Sequence, residues 1–359
     1  MMEQQKCVAV GLSGGVDSAV AAWLLKRDGW RVIGLTMSIW DGSIPIPDEG
    51  LSGCFGPGEG RDLEAATAVA ARIGIEHRVV KLAGEYKKTV LDYFREEYLA
   101  GRTPNPCVRC NQRMKFGFLL EQARAQGVEF EKFATGHYAR TRFDEASGRW
   151  QLLRGRDESK DQSYFLSRLK PGQLSDLLFP LGELRKGEVK ALARELGWGD
   201  LAEKDESQDF IECDDYSVLF KSGDAKPGDF VTRDGKTVGR HRGIIHYTIG
   251  QRKGLELGGG GTPWYVLEID AFRNRVVVGP RQDLYARELS AGAGDGGAAR
   301  KTVPLCRANP AAPSGRPGDR GGGTRGEAEG RFRRSAAFRD AWANRGVLRR
   351  RRGAGLGRD

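Results

Sequence analysis

The run Gly11-Leu12-Ser13-Gly14-Gly15-Val16-Asp17-Ser18 constrains this chain more than any other stretch. It follows an apolar, strand-like segment, Cys7 to Val10, and opens a helical pattern from Ala19 to Leu25. Small residues let a backbone wrap closely around a ligand. Amides at a helix N-terminus then point at that ligand and favour an anion. The Ser13 and Ser18 hydroxyls add donors. No Gly-Lys-Ser/Thr follows, which excludes the P-loop of kinases and GTPases. A tight turn with a Ser cap uses similar residues. The order strand, SGGVDS, helix is the more specific signal.

Residues 6–137 alternate strands with helices. Strand-like runs are 6–12, 31–37, 77–82 and 131–135; helix-like runs are 16–28, 61–73, 86–100 and 111–126. Apolar strands spaced by helices predict an α/β fold with a doubly wound parallel sheet. Residues 41–60, rich in Gly and Pro, read as a long loop of the kind that is functional or mobile. A strand at 150–153 and a helix at 185–196 follow. From Gly228 to Gly279 short β-type segments alternate with turn signals at Asp234-Gly235, Gly258 to Gly261 and Arg273-Asn274, which predicts a small β-rich domain. The domain boundaries expected are 1–205, 206–290 and a Gly/Arg-rich tail over 291–359.

The net charge of +10 resides in that tail. Residues 291–359 hold 16 Lys and Arg against 6 Asp and Glu, while the rest of the chain holds 42 of each. Any nucleic-acid site in the folded part is therefore a local patch. The tail has few Val, Ile or Leu and neither helix nor strand period, so its composition predicts disorder. It reads as a basic arm that binds RNA nonspecifically, or as a frame-shifted translation of a GC-rich gene. Arg and Gly scattered without aromatic interleaving favour the second. No apolar run is long enough to span a bilayer and residues 1–6 are no signal peptide, which argues for the cytoplasm. There, six Cys are reactive, metal-binding or merely buried rather than a disulfide scaffold.

The glycine-rich run resembles the pyrophosphate loop of ATP pyrophosphatases, which cut ATP between its α and β phosphates and adenylate a substrate. Further segments narrow the resemblance: TPNPCVRCNQRMKF (103–116), ATGHYAR (134–140), KDQSYFL (160–166), ESQDF (206–210), GDF (228–230), YTIGQRKGLELGGG (247–260) and PWYVLEID (263–270). Together they resemble the tRNA-specific 2-thiouridylases of the PP-loop superfamily, over residues 6–290. That family has an adenine nucleotide alpha hydrolase-like catalytic domain, a small central tRNA-binding domain and a C-terminal β-barrel; the tail here shows no barrel pattern. The resemblance implies ATP-dependent replacement of O2 by sulfur at the wobble uridine (position 34) of tRNA, with release of AMP and pyrophosphate. It implies Mg²⁺ with the ATP, and a cysteine desulfurase or sulfur carrier as donor. Two other readings are a different ATP pyrophosphatase, and an inactive chain that binds tRNA or ATP without its last domain.

Residue by residue, the resemblance gives ATP to Gly11, Leu12, Ser13, Gly14, Gly15, Val16, Asp17, Ser18, Met37 and Gly136. Asp17 stands either as a Mg²⁺ ligand or as an acid favoured by the helix dipole. It gives tRNA contacts to Asn105, Pro106, Cys107, His137, Lys160, Asp161 and Gln162, and leaves Lys115, Arg252 and Lys253 as phosphate candidates. Thr103-Pro104-Asn105-Pro106 is stiff, which suits a loop that places a flipped base against a sulfur donor. Cys110 matches the family's nucleophile, and Cys107 stands where many members carry Asp. The second family cysteine normally follows the ESQD stretch directly; that position holds Ile211, and Cys213 is the nearby candidate. The Cys-x-x-Cys has three readings: a persulfide route through Cys110 and a disulfide-forming partner, a 4Fe–4S cluster on Cys107, Cys110 and Cys213, or half of a zinc site. No second Cys-x-x-Cys or His pair supports zinc. Cys7 and Cys54 read as packing and incidental, with Cys54 the alternative should Cys213 fail.

Overall fold

The computed structural model describes residues 5–204, 209–258 and 263–285, with the backbone of Glu288–Ala291 and Lys301–Pro304. The chain divides into two compact units, Met1–Tyr93 with Pro106–Leu219, and Phe94–Asn105 with Phe220–Asp359.

The first unit runs β1 (Cys7–Gly11), α1 (Val16–Arg27), β2 (Arg31–Ser38), β3 (Gly53–Phe55), α2 (Glu59–Ile73), β4 (Glu76–Lys81) and α3 (Ala83–Tyr86). Helix α4 (Asp92–Leu99) crosses the division between units. The first unit resumes with α5 (Pro106–Cys110), α6 (Leu119–Ala125), β5 (Lys132–Ala134), β6 (Ala139–Asp144), β7 (Arg149–Arg154), α7 (Pro171–Leu174), β8 (Leu177–Leu178), α8 (Lys186–Glu195), α9 (Gly199–Glu203) and β9 (Asp209–Ile211). Five strands form one all-parallel sheet in the order β4-β2-β1-β5-β8. The expected doubly wound core is thus present. Val8, Ala9 and Val10 are fully buried, as a strand covered on both faces requires. Helix α1 buries Ala19, Val20, Ala21 and Ala22, whose small side chains allow close packing on that sheet. The chain leaves β1 to build one side of the sheet and returns beside it at β5. The β1/β5 boundary is therefore the topological switch point, where open α/β sheets bind ligands beyond the carboxyl ends of their strands.

Three local features depart from the sequence reading. The expected loop over 41–60 contains β3, which pairs in parallel with β9: Gly53 faces Asp209 and Phe55 faces Ile211. The expected helices over 86–100 and 111–126 each contain a π-wound stretch, Lys87–Leu91 and Asn111–Phe118. The tail, read as lacking any strand, contributes β15 (Lys301–Pro304), which pairs antiparallel with β14 (Glu288–Ala291). The rest of the tail, and with it the expected disorder, lies outside the described residues.

In the second unit β10 (Gly228–Val231), β11 (Thr237–His241), β12 (Tyr265–Asp270) and β13 (Arg275–Gly279) form a four-stranded sheet ordered β11-β10-β13-β12. This is the expected β-rich texture. Phe230, Val266, Val276 and Val278 fill its core, and Phe230, His241 and Tyr247 pack edge to face. Among the described residues no helix is long and apolar enough to cross a membrane.

Candidate active site

The glycine-rich run forms the turn between β1 and α1, at the switch point. Gly15 caps α1 without any side-chain hydrogen bond, so the first-turn amides face outward for a ligand. The loop is braced from within. Ser18 Oγ donates to the Gly15 carbonyl (3.0 Å) and lies 3.2 Å from the Ser13 amide, while Thr36 Oγ1 donates to the Leu12 carbonyl (2.9 Å). Leu12 and Val16 are buried, so their side chains anchor the loop. Gly14 has φ +70°, and a Cβ there would lie 2.7 Å from Ala65 Cβ. Gly136, just past β5, packs on the same turn; a Cβ on it would lie 2.7–2.9 Å from backbone atoms of Asp17 and Ser18. Such a braced cradle fits a polyphosphate. Met37 is half-buried near the carboxyl end of β2.

Asp17 is held elsewhere. Lys186 Nζ donates to both its carboxylate oxygens at 2.7 Å, and the Tyr138 hydroxyl donates to Oδ1 at 2.8 Å. Lys186 is 8% exposed. This carboxylate therefore locks the start of α1 to α8 and to the segment after β5. As placed it does not fit a metal ligand.

The Cys-x-x-Cys lies on α5. Pro106 opens that helix, where its missing amide proton is no loss. The Arg109 side chain donates to the Thr89 carbonyl and stacks on Tyr93 (5.2 Å), fixing α5 against the first π-wound stretch. The second begins at Asn111, which is buried and donates to the Phe165 carbonyl (3.1 Å). π-wound turns inside α-helices recur at functional sites.

This stretch carries Lys115. Its ammonium interacts with Cys110, Cys54 and Cys107. Burial alone would pull its pKa down, but the three sulfurs outweigh that and raise it. Burial pushes the Cys110 thiol up to about 11 against the pull of Lys115, and pushes Cys107 still higher. Cys54 is exposed to solvent as a residue, yet protein packed around its sulfur raises its pKa, and again Lys115 opposes the shift. The buried Tyr86 hydroxyl senses the same three sulfurs. Phe55, next to Cys54, stacks on Tyr86 with centroids 5.4 Å apart. The site thus gathers three thiols and one ammonium from β3, α5 and the π-wound stretch. Sequence reasoning set Cys54 aside and gave Lys115 to phosphate. Only the β3/β9 pairing, which no local pattern in 41–60 announces, brings Cys54 in.

Cys213 is placed differently. It is buried, its Sγ donates to the Asp215 carbonyl (3.3 Å), and the charges acting on it are those of Asp215, Asp209 and Glu49. Cys107, Cys110 and Cys213 are not gathered as cluster ligands. Among the described residues no group of three or more His, Cys, Asp or Glu is arranged to hold a metal ion. The donors as placed therefore do not fit the expected 4Fe–4S site.

His137 links the two halves of the site. It directly follows Gly136, its Nδ1 lies 2.8 Å from Thr135 Oγ1, and its ring packs near Phe116 and Phe179. Burial, then the Lys115 charge, lowers its pKa to about 3, so it is neutral near pH 7. The other candidates for tRNA are partly occupied within the protein. Asp161 accepts from the Gly155 and Ser163 amides and the Ser163 hydroxyl, and Gln162 Oε1 accepts from the Tyr138 amide. Lys160 is half-buried, Asn105 and Pro106 are buried, and Arg252 and Lys253 are exposed in the second unit.

Comparisons with known proteins identify the family. The family model described as the tRNA methyl transferase HUP domain matches residues 6–213, and that of the tRNA methyl transferase PRC-barrel domain matches 217–280. A tRNA-specific 2-thiouridylase MnmA of Endomicrobium trichonymphae is 47% identical over 292 residues, covering 81% of this chain and 80% of its own length. The tRNA-specific 2-thiouridylase MnmA 2 of Thermoanaerobacter sp. (strain X514) is 48% identical over 294 residues, covering 80% and 79%. A solved 4-thiouridine synthetase–RNA complex with bound ATP is similar at a TM-score of 0.35 and 17% identity, covering 56% of this chain and 43% of that one, too distant to add weight. At such identity and coverage in its curated relatives, the chain belongs to the tRNA-specific 2-thiouridylase family.

Proposed function

We propose that this chain is an ATP-dependent tRNA sulfurtransferase that replaces O2 of the wobble uridine (position 34) by sulfur. A carbonyl oxygen is a poor leaving group, and adenylation of O2 lets it depart within AMP. The observation that carries the proposal is the junction at Gly136-His137. Gly136 packs on the anion cradle, and its neighbour His137 packs near Phe116, the residue after Lys115, whose charge it feels. One short segment therefore brings a nucleotide loop and a cysteine site together. Methyl transfer, the activity in the family models' descriptions, needs neither feature.

The residues take these parts. Gly11, Leu12, Gly14, Gly15 and Val16 present backbone to the ATP phosphates, Ser13 and Ser18 brace the turn, and Met37 lies toward the adenine. Asp17 acts through Lys186 as a strut, and Mg²⁺ arrives with the nucleotide. Cys110 bears the transferable sulfur. A thiol held near 11 is protonated at neutral pH and a poor nucleophile, whereas the terminal sulfur of a persulfide ionises more readily, and Lys115 favours its anion. In the first unit Cys107, Pro106, His137 and Lys160 take the tRNA; in the second, Asn105 is a further tRNA contact and Arg252 and Lys253 are RNA-phosphate contacts. Asp161 and Gln162 hold the Lys160 loop. The sulfur comes from a cysteine desulfurase or a carrier, in the cytoplasm where tRNA is. The test is pyrophosphate and AMP release from ATP with and without tRNA, with nucleoside mass spectrometry of the RNA. Release that requires tRNA, with 2-thiouridine formed when a persulfide donor is present, supports the proposal. Release that ignores tRNA, or a methylated product, overturns it.

A further inference from the structure

The family's second cysteine is missing from its usual place after the ESQD stretch, and Cys213 faces the Asp215 carbonyl rather than the Cys107/Cys110 pair. Another thiol is packed against the same stretch as that pair: Phe55, next to Cys54, stacks on Tyr86, and Arg109, between Cys107 and Cys110, donates to the Thr89 carbonyl and stacks on Tyr93. Cys54 lies on β3, a strand that exists only through its register with β9. The loop after it is clamped: the buried Glu212 carboxylate accepts the Gly58 amide proton at 2.7 Å, and the Glu212 amide donates to the Phe55 carbonyl at 3.1 Å. Phe55 is wedged between Trp40 (4.9 Å) and Tyr86 (5.4 Å). Cys54 is thereby held on a fixed piece of backbone, exposed, with Lys115 as the common ionic neighbour of its sulfur and that of Cys110.

We propose that Cys54 is the second catalytic cysteine of this chain, the thiol that releases sulfur from Cys110. The inference rests on the sulfurtransferase reading above. In the first step the terminal sulfur of the Cys110 persulfide attacks C2 of the adenylated uridine. A C2–S bond forms, the C2–O bond to the adenylate breaks, and AMP leaves. The tRNA is then joined to Cys110 through a disulfide. In the second step the Cys54 thiolate attacks Cys110 Sγ. A Cys54–Cys110 disulfide forms, the bond from Cys110 Sγ to the transferred sulfur breaks, and the electron pair leaves with that sulfur. The proton given up by Cys54 is balanced by the one the 2-thiouridine takes at N3. Over the two steps the Cys54 thiol is oxidised to its half of the disulfide, Cys110 stays at the disulfide level, and the transferred sulfur is reduced to the thione. A cellular dithiol resets the site, becoming a disulfide itself.

Two measurements on the full chain test this. The first needs no turnover: limited diamide oxidation followed by peptide mapping. The expected product is a Cys54–Cys110 cross-link; cross-linking of Cys110 to Cys213 in its place overturns the proposal. The second is a single turnover of persulfide-loaded enzyme without added reductant, comparing wild type, Cys54→Ser and Cys213→Ser. With Cys54→Ser, AMP release persists, released 2-thiouridine falls on the order of tenfold or more, and a dithiothreitol-cleavable enzyme–tRNA adduct accumulates. Cys213→Ser does not build up the adduct. Wild-type yield from Cys54→Ser, or the adduct appearing only in Cys213→Ser, overturns the proposal. A Cys54–Cys110 cross-link in a chain that releases no AMP with tRNA would instead defeat the sulfurtransferase reading alone.

Discussion

The anion cradle and the thiol site belong to the same compact unit yet are built in opposite ways. The cradle is eight consecutive residues whose chemistry is mostly backbone, and its braces are the loop's own serines together with Thr36. The thiol site is side-chain chemistry drawn from separate stretches of chain, β3, α5 and the π-wound turn, and its geometry depends on a strand pair between residues more than 150 positions apart. A contiguous site tolerates little change within itself but is indifferent to distant contacts. A dispersed site is vulnerable wherever one of its supports is.

The largest expected effect separates the two chemistries. Cys110→Ala lowers 2-thiouridine formation on the order of a thousandfold, because it removes the thiol that bears the transferable sulfur. It leaves tRNA-dependent pyrophosphate release within a few-fold of wild type, read in the same reaction. Gly136→Ala does the reverse. Its methyl cannot fit against the Asp17–Ser18 backbone, so ATP binding measured by calorimetry falls by roughly tenfold or more, at a stability cost of about 1–3 kcal/mol.

Lys186→Met is a milder attack on the cradle from outside it. It leaves the Asp17 carboxylate with only Tyr138 as its described hydrogen-bond donor. Asp17 is 29% exposed at its side chain, so water recovers part of the loss. Unfolding in urea should show about 2 kcal/mol, below the range of a fully buried pair. A loss of stability near zero would mean that the ion pair does not hold α1 in place.

How much of this was legible in the sequence follows from the same contrast. The parallel sheet, its helices and the cradle could be read directly, because apolar strands and a glycine-rich turn are local signals. The β-rich second unit was legible from its turns; Gly235 and Asn274 indeed take positive φ. The thiol site was not. Cys110 could be carried over from the family, but Cys54 sits in a Gly/Pro-rich segment with no period, and its strand arises only when β9 arrives. Lys115 looked like any basic residue on a helix, since a π-wound turn leaves no clear trace in composition. Asp17 looked free to take a metal, because Lys186 lies 169 residues away.

Smaller effects sharpen the electrostatic side. Alkylation of Cys110 by iodoacetamide, followed by peptide mass spectrometry, should climb with pH toward a midpoint of about 11 rather than near 9. Lys115→Met should move that midpoint higher, since the ammonium opposes burial. A midpoint unmoved by the substitution would mean that Lys115 does not face the thiols. His137 gives the smallest signal. Its folded pKa of about 3 lies below the ordinary 6.5, so the unfolded chain binds the extra proton between those values. Stability falls as pH drops from about 6.5 toward 3. The Cys54 side of the site should be unaffected, and His137→Phe should flatten that part of the pH–stability curve.

The central claim is that the cradle activates the same uridine oxygen that the thiol site replaces. Labelling tests it most directly. A tRNA anticodon stem-loop carrying ¹⁸O at uridine O2 is turned over with ATP and a persulfide donor, and the AMP is analysed by mass spectrometry. The account predicts one ¹⁸O in each AMP released and none in the 2-thiouridine. AMP without the label would contradict it, because the oxygen would then have left by a route that never passed through the nucleotide.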